Sequence, residues 1–269
     1  MTQILGGLAT HAAALLLYPG LLTVAASGLV IEILWSVISR GSELLPRFRV
    51  SRPQVVHVAV ALLAVLAVTQ TAAPFNPVPP PERNVIIAVV ALGFAAWAEL
   101  ALDPELVGAP GLMFVIQACW VLAVLGPAIE PQSLRPQVLG NVLVPALIPV
   151  KVACGFLYLL CLPPLLRLWP VSPPADRRGR PRFNTARALV WFPYCALFVT
   201  LFFPPQSDDV VGLARFAGLV AATAIVLVLA GTLLAQRGAE RARGLYSRAV
   251  TPYSLLVLAL IVGTLIITR

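Results

Sequence analysis

Long apolar runs broken by short polar segments dominate the chain. Eight such runs stand out, at residues 12–38, 54–71, 84–102, 111–129, 138–167, 186–203, 210–235 and 252–268. At a rise of roughly 1.5 Å per residue, a helix of about 18 residues or more nearly matches a hydrocarbon core of about 30 Å. Each run therefore predicts a transmembrane helix. Pro19–Gly20 predicts a kink in the first, or a later true start. The connections carry the residues that stop helices: PFNPVPPPER after the second run, DPELVGAP after the third, EPQSLRP after the fourth and PPQSDD after the sixth. The stretch 138–187 serves as the reference for the rest. It reads as one apolar helix with the chain's only lysine, Lys151, near its middle, and it runs out into the basic loop ADRRGRPRF.

Composition turns this pattern into a class. Of 269 residues, 59% are hydrophobic and 11% charged, and the mean hydropathy is +0.92. A soluble domain has no way to bury that much apolar surface. The expected fold is an all-α integral membrane protein, a bundle of about eight transmembrane helices forming a single membrane domain over 1–269. No internal repeat is visible. MTQILGGLAT lacks the charged start of a cleaved secretory signal, so the first helix is expected to be retained. Cys119, Cys154, Cys161 and Cys195 all lie inside apolar runs without a CxxC pair, the pattern of buried free thiols.

The formal net charge of +8 would point to nucleic acid in a soluble chain; here the cations sit between apolar runs, so no nucleic acid is expected as a partner. If the loops after the first, third, fifth and seventh runs share a side, that side collects fourteen of the eighteen arginines. The excess of basic residues on cytoplasmic loops puts that side inside and both termini on the outer, periplasmic side. The expected location is the bacterial cytoplasmic (inner) membrane, multi-pass. For the first and last basic loops the ordinary role is topology and contact with anionic headgroups. ADRRGRPRFNTAR is too long and too interrupted by proline for a minimal connector. Arg177, Arg178, Arg180 and Arg182, with Arg241, Arg243 and Arg248 before the last run, are candidates for docking a peripheral protein.

Polar side chains within the membrane are costly and mark candidate sites. Glu32 falls about two turns from the inner end of the first run, His57 one turn into the second and Glu99 one turn from the inner end of the third. Gln117 and Lys151 fall in mid-run, with Tyr158 seven residues beyond Lys151 on nearly the same face. Together they predict a polar pair or proton path in which Glu32 or Glu99 pairs with Lys151. The alternative is a static ion pair that locks helix packing. For Glu99, beside Asp103 and Glu105, a solvated helix end is the simpler reading. No HExxH, GxSxG or P-loop is present, and two histidines in separate segments do not build a metal site. No catalytic or metal-ligating residue is assigned.

Several segments resemble the proximal membrane-arm subunit of respiratory complex I, the NADH-quinone oxidoreductase, a family with counterparts in formate hydrogenlyase and the energy-converting nickel-iron hydrogenases. They are the exit APFNP, the following ERNVIIAVVALGFAAWAELALDPELVGAPGLMFVIQACWVL, the long basic loop after the fifth run, WFPYCALFVTLFF, and ERARGLYSRAVTPYSLLVLAL. The resemblance implies a non-catalytic subunit of a multi-subunit oxidoreductase. It would anchor a cytoplasmic peripheral subunit and link it to antiporter-like, proton-translocating membrane subunits. The chain departs from the family in two loops. The first is shortened to RGSELLPRFRVSRP. The one after the fifth run offers only Asp176 where the family is rich in glutamate. The acidic lining that a quinone tunnel needs is sparse here, so no cofactor is expected on this chain, quinone being the one group that the resemblance allows. Two readings from other classes stand beside this one. A stand-alone secondary transporter would use Lys151 and the broken segment VPALIPVK as its site. A membrane-embedded lipid-modifying enzyme would have to rely on His57 and nearby arginines.

Overall fold

A computed structural model describes residues 12–40, 55–102, 110–129, 133–141, 147–168, 185–204, 207–236 and 239–267. These residues are mostly helical, with no strand among them. After a short helical stretch at 12–16, the helices are α1 Leu21–Arg40, α2 Val55–Thr69, α3 Val85–Leu102, α4 Pro110–Leu125, α5 Pro136–Gly140, α6 Ile148–Leu165, α7 Thr185–Phe202, α8 Val210–Gln236 and α9 Ala239–Ile267. Among the described residues, six segments are long and apolar enough to cross a membrane: Ala12–Trp35, Gly111–Ile129, Ile148–Leu165, Thr185–Phe202, Val210–Leu234 and Gly244–Ile266. Val55–Thr69 and Val85–Ala98 are shorter apolar helices. The protein is a multi-pass, all-helical membrane protein.

One boundary falls where the sequence expects a break and two differ from expectation, each for a local reason. The first run is interrupted at 17–20, where Pro19 removes a backbone donor and the helix restarts at Leu21. The fifth run is not one helix: α5 ends at Gly140 and α6 begins only at Ile148, with Pro149 in its first turn, where the missing N–H costs nothing. The last helix begins at Ala239 rather than at 252, so most of GAERARGLYSRAV is helical, and Pro252 lies inside α9.

The centre of the bundle is α7. Ala186 and every residue from Ala188 to Leu201 are buried, and α7 packs against α1, α2, α3, α5, α6 and α8. A helix apolar all round belongs in such a position. Around its middle, Trp120 meets Tyr194 edge-on (ring centroids 5.3 Å apart), and Tyr158 packs on Phe198 at 5.4 Å.

Contacts along α7 define the two ends of the bundle. At its N-terminal end, Ala188 touches Gly28 of α1. Gly231 of α8 faces Trp35 and Leu168, where a β-carbon would come within 2.9 Å of both. The last turns of α1, α6 and α8 and the first turn of α7 therefore meet at one end. At the opposite end the loop between α2 and α3 folds inward instead of projecting. The Ala72 N–H donates to Oγ1 of Thr200 (3.1 Å), the Asn84 N–H to Oε1 of Gln70 (2.9 Å), and Asn76 Nδ2 to the carbonyls of Thr69 and Thr71 (3.0 and 2.9 Å). Arg83 is buried here and donates from Nε to the carbonyl of Val78 (2.7 Å). Burial pulls its pKa down and the charge of Asp208 pushes it back.

The end of α6 carries a strained arginine. The Leu168 N–H donates to the Pro163 carbonyl (2.8 Å) and the Arg167 N–H to the Pro164 carbonyl (3.0 Å), the paired bonds of a left-handed C-cap. Arg167 holds the left-handed position at φ 51°, where glycine is the usual occupant. Arg167→Gly removes that strain while glycine adds freedom to the unfolded chain, for a net gain of about 0.5–1 kcal/mol. Thermal unfolding in detergent should show a small rise in midpoint. A fall would mean that side-chain contacts of Arg167 outweigh its backbone.

Candidate functional site

Glu32 places a carboxylate inside the bundle, 1% exposed and three turns into α1. It lies one helical turn beyond Gly28, on the same face, and that face lies directly against α7. The partner this contact supplies is Arg187, in the first turn of α7 and 14% exposed. Arg187 donates from Nε to both carboxylate oxygens, at 2.8 and 3.1 Å, and from Nη2 to Oε1. Trp191, one turn further along α7, donates from Nε1 to Oε2 at 3.3 Å. The remaining arm of Arg187, Nη1, reaches the carbonyl of Arg167 at 3.4 Å, at the C-cap of α6.

A two-pronged guanidinium–carboxylate pair with further hydrogen bonds on both partners, here from Trp191 to the carboxylate and from Nη1 to the Arg167 carbonyl, is the form in which buried charges are tolerated. Three helices meet in it: α1 through Glu32, α6 through Arg167 and α7 through Arg187 and Trp191. Arg167 and Arg187 also flank the basic segment 169–184. The stem at Arg187 is thus fastened to α1 through the Glu32 carboxylate, and the stem at Arg167 is fastened to Arg187.

Lys151 does not meet Glu32. It lies in the first turn of α6 rather than at mid-helix, because the helix starts only at Ile148. Its ammonium donates to the carbonyls of Leu139 (3.1 Å), Gly140 and Asn141 (3.3 Å), where α5 ends. A cation over the last carbonyls of a helix satisfies orphan acceptors and the helix dipole together. Gly140 in turn packs on Pro204 and the Thr200 carbonyl. The interval from Arg187 to Thr200 along α7 is about 20 Å at the helical rise, so Glu32 and Lys151 lie at opposite ends of the bundle. The expected pairing of Glu32 with Lys151 is corrected: the partner of Glu32 is Arg187.

The other candidates are scattered. Tyr158 is fully buried and donates to the Tyr194 carbonyl at 2.8 Å, as part of the aromatic core. Gln117 lies over Gly93 of α3, where a β-carbon would stand 2.9 Å from Nε2. His57 is half-buried in the first turn of α2. The side chain of Glu99 lies outside the described residues, as do Arg177, Arg178, Arg180, Arg182 and the side chain of Arg243. Arg241 and Arg248 are exposed on α9 itself, not on a loop.

Sequence alone leaves Arg187 and Trp191 unassigned, because Arg187 counts there as one more loop arginine. The signal for it is its position just inside the apolar run of α7, where a cation needs a partner. Among the described residues no group of three or more His, Cys, Asp or Glu could hold a metal ion. Comparison with known protein families and with curated proteins finds no match for the chain.

Proposed function

We propose that this chain is the membrane-anchor and coupling subunit of a complex I-like or energy-converting hydrogenase-like assembly. In this reading the eight apolar helices cross the bilayer with both termini outside, in the cytoplasmic membrane of a bacterium. A cytoplasmic peripheral subunit sits on the arginine-rich end, and antiporter-like subunits lie beside the chain in the membrane. The observation that carries the reading is the convergence of helix ends. The last turns of α1, α6 and α8 and the first turn of α7 meet at one end of the bundle, and these helix ends with the segments that follow or precede them hold eleven of the eighteen arginines. The Glu32–Arg187 clamp adds to it, since a segment on which another protein sits needs stems that do not fray.

The experiment is co-purification of the native chain. A hydrophilic subunit and larger multi-helix subunits should come with it in stoichiometric amounts, and Arg177→Glu/Arg178→Glu/Arg180→Glu should release the hydrophilic one at least tenfold. A chain that purifies alone and active from native membranes overturns the reading.

A further inference from the structure

Among the described residues, the last helix presents one face that no other element covers. Tyr246, Val250, Val257 and Ile261 are its buried side, set against α4 and α6. On the opposite side Arg241, Arg248, Leu255 and Val262 are all exposed, and a spacing of seven residues puts them in one line along the helix. Leu245, between the two arginines, is exposed as well, and Leu256 flanks Leu255. The line begins with two cations and continues with apolar side chains alone.

We propose that this face is a binding site for an anionic phospholipid, with its phosphate held by Arg241 and Arg248 and its acyl chains lying along Leu255 and Val262. The dimensions agree with such an occupant. At 29 residues α9 is longer than a hydrocarbon core requires. Arg241 lies before the apolar segment Gly244–Ile266, at headgroup depth, and Arg248 about 6 Å inside its edge, within reach of the headgroups for a long arginine stem. Arg241 and Arg248 are about 10 Å apart along the axis, and long arginine stems bend toward phosphates from either side of that interval. From Arg248 to Val262 is about 20 Å, enough to accompany an acyl chain through one leaflet of about 15 Å. A soluble protein partner would meet the arginines and leave Leu255 and Val262 without a counterpart; a lipid with one charged and one apolar end matches the whole line. The site is independent of the docking proposal, which then rests on the arginines at 177–182.

Native mass spectrometry of the full chain in mixed micelles tests this, with phosphatidylglycerol and phosphatidylcholine as the two probes. One phosphatidylglycerol should remain bound where phosphatidylcholine does not. Each arginine near a phosphate contributes about a fivefold gain, so Arg241→Gln/Arg248→Gln should weaken retention about 25-fold. Arg241→Lys/Arg248→Lys, which keeps both charges and guards against a folding defect, should retain most of it. The double variant Arg135→Gln/Arg215→Gln, equal in charge and exposed on other helices or loops, should bind as the parent does. Equal retention of the two lipids by the parent, or undiminished retention by the Arg241/Arg248 glutamine variant, overturns the site. So does a glutamine variant that keeps its lipid and instead loses a protein subunit.

Discussion

Glu32→Gln should destabilise the bundle by about 3–5 kcal/mol, the loss expected when one partner of a buried ion pair is removed. The reason is what stays behind. Arg187 is only 14% exposed, and without the carboxylate its guanidinium keeps the Arg167 carbonyl and a neutral amide in a place where water is scarce. Arg187→Met should cost about as much, since it leaves a carboxylate that is 1% exposed held by Trp191 alone among these contacts. Glu32→Met/Arg187→Met removes both charges and replaces them with apolar volume, and it should recover most of either loss. Thermal unfolding in detergent gives the three midpoints, and the Trp191 contribution to the fluorescence, taken as the difference from Trp191→Phe among the five tryptophans, reports on the pair. If Glu32→Gln unfolds like the parent, the pair is not a structural clamp and the anchoring of the 169–184 stems to α1 falls with it.

That clamp also separates what is legible in the sequence from what is not. Membrane character is legible, because hydropathy over a long run depends on no tertiary contact. So is the interruption at Pro19–Gly20, because proline acts on the backbone locally. The break between α5 and α6 is also a backbone matter, yet it lies within a run that stays apolar on average despite Asn141, and taking that run as one helix misplaces Lys151. A helix start three residues before Lys151 changes its surroundings from the middle of a bundle to the cap of α5.

The partner of Glu32 is not legible at all. The linear sequence offers several cations to a buried carboxylate, and the choice among them is made by how α1 crosses α7. The same holds for the inward-folded loop between α2 and α3. PFNPVPPPER announces that a helix stops; only the packed structure brings Gln70, Asn76 and Arg83 into one hydrogen-bonded layer with Thr200. Local rules predict where elements end, and contacts between distant segments decide what their polar residues do.

The crossing itself supplies the second large effect: Gly28→Ala should reproduce most of the loss seen with Glu32→Gln. In a membrane, helices associate largely through close packing of small residues, since lipid is as apolar as leucine. Here α1 and α7 touch backbone to backbone. A β-carbon on Gly28 would overlap the Ala188 carbonyl oxygen and stand 2.5 Å from its carbon, and no side-chain rotation relieves a clash with backbone. The helices must part by roughly 1.5 Å to restore ordinary contact, and a gap of about 1 Å already forfeits up to half of the dispersion energy along an interface. Glu32 lies one turn beyond Gly28 and Arg187 adjoins Ala188, so the same displacement lengthens the 2.8 Å bond between Arg187 Nε and the carboxylate beyond hydrogen-bonding range. If crossing and clamp are one unit, the losses from Gly28→Ala and Glu32→Gln are not additive: on the Gly28→Ala background, removing the carboxylate should cost less than half of what it costs alone. A double-mutant cycle on unfolding midpoints measures this. Full additivity would mean that Gly28 acts only as a packing site and that the contact between α1 and α7 does not position the pair.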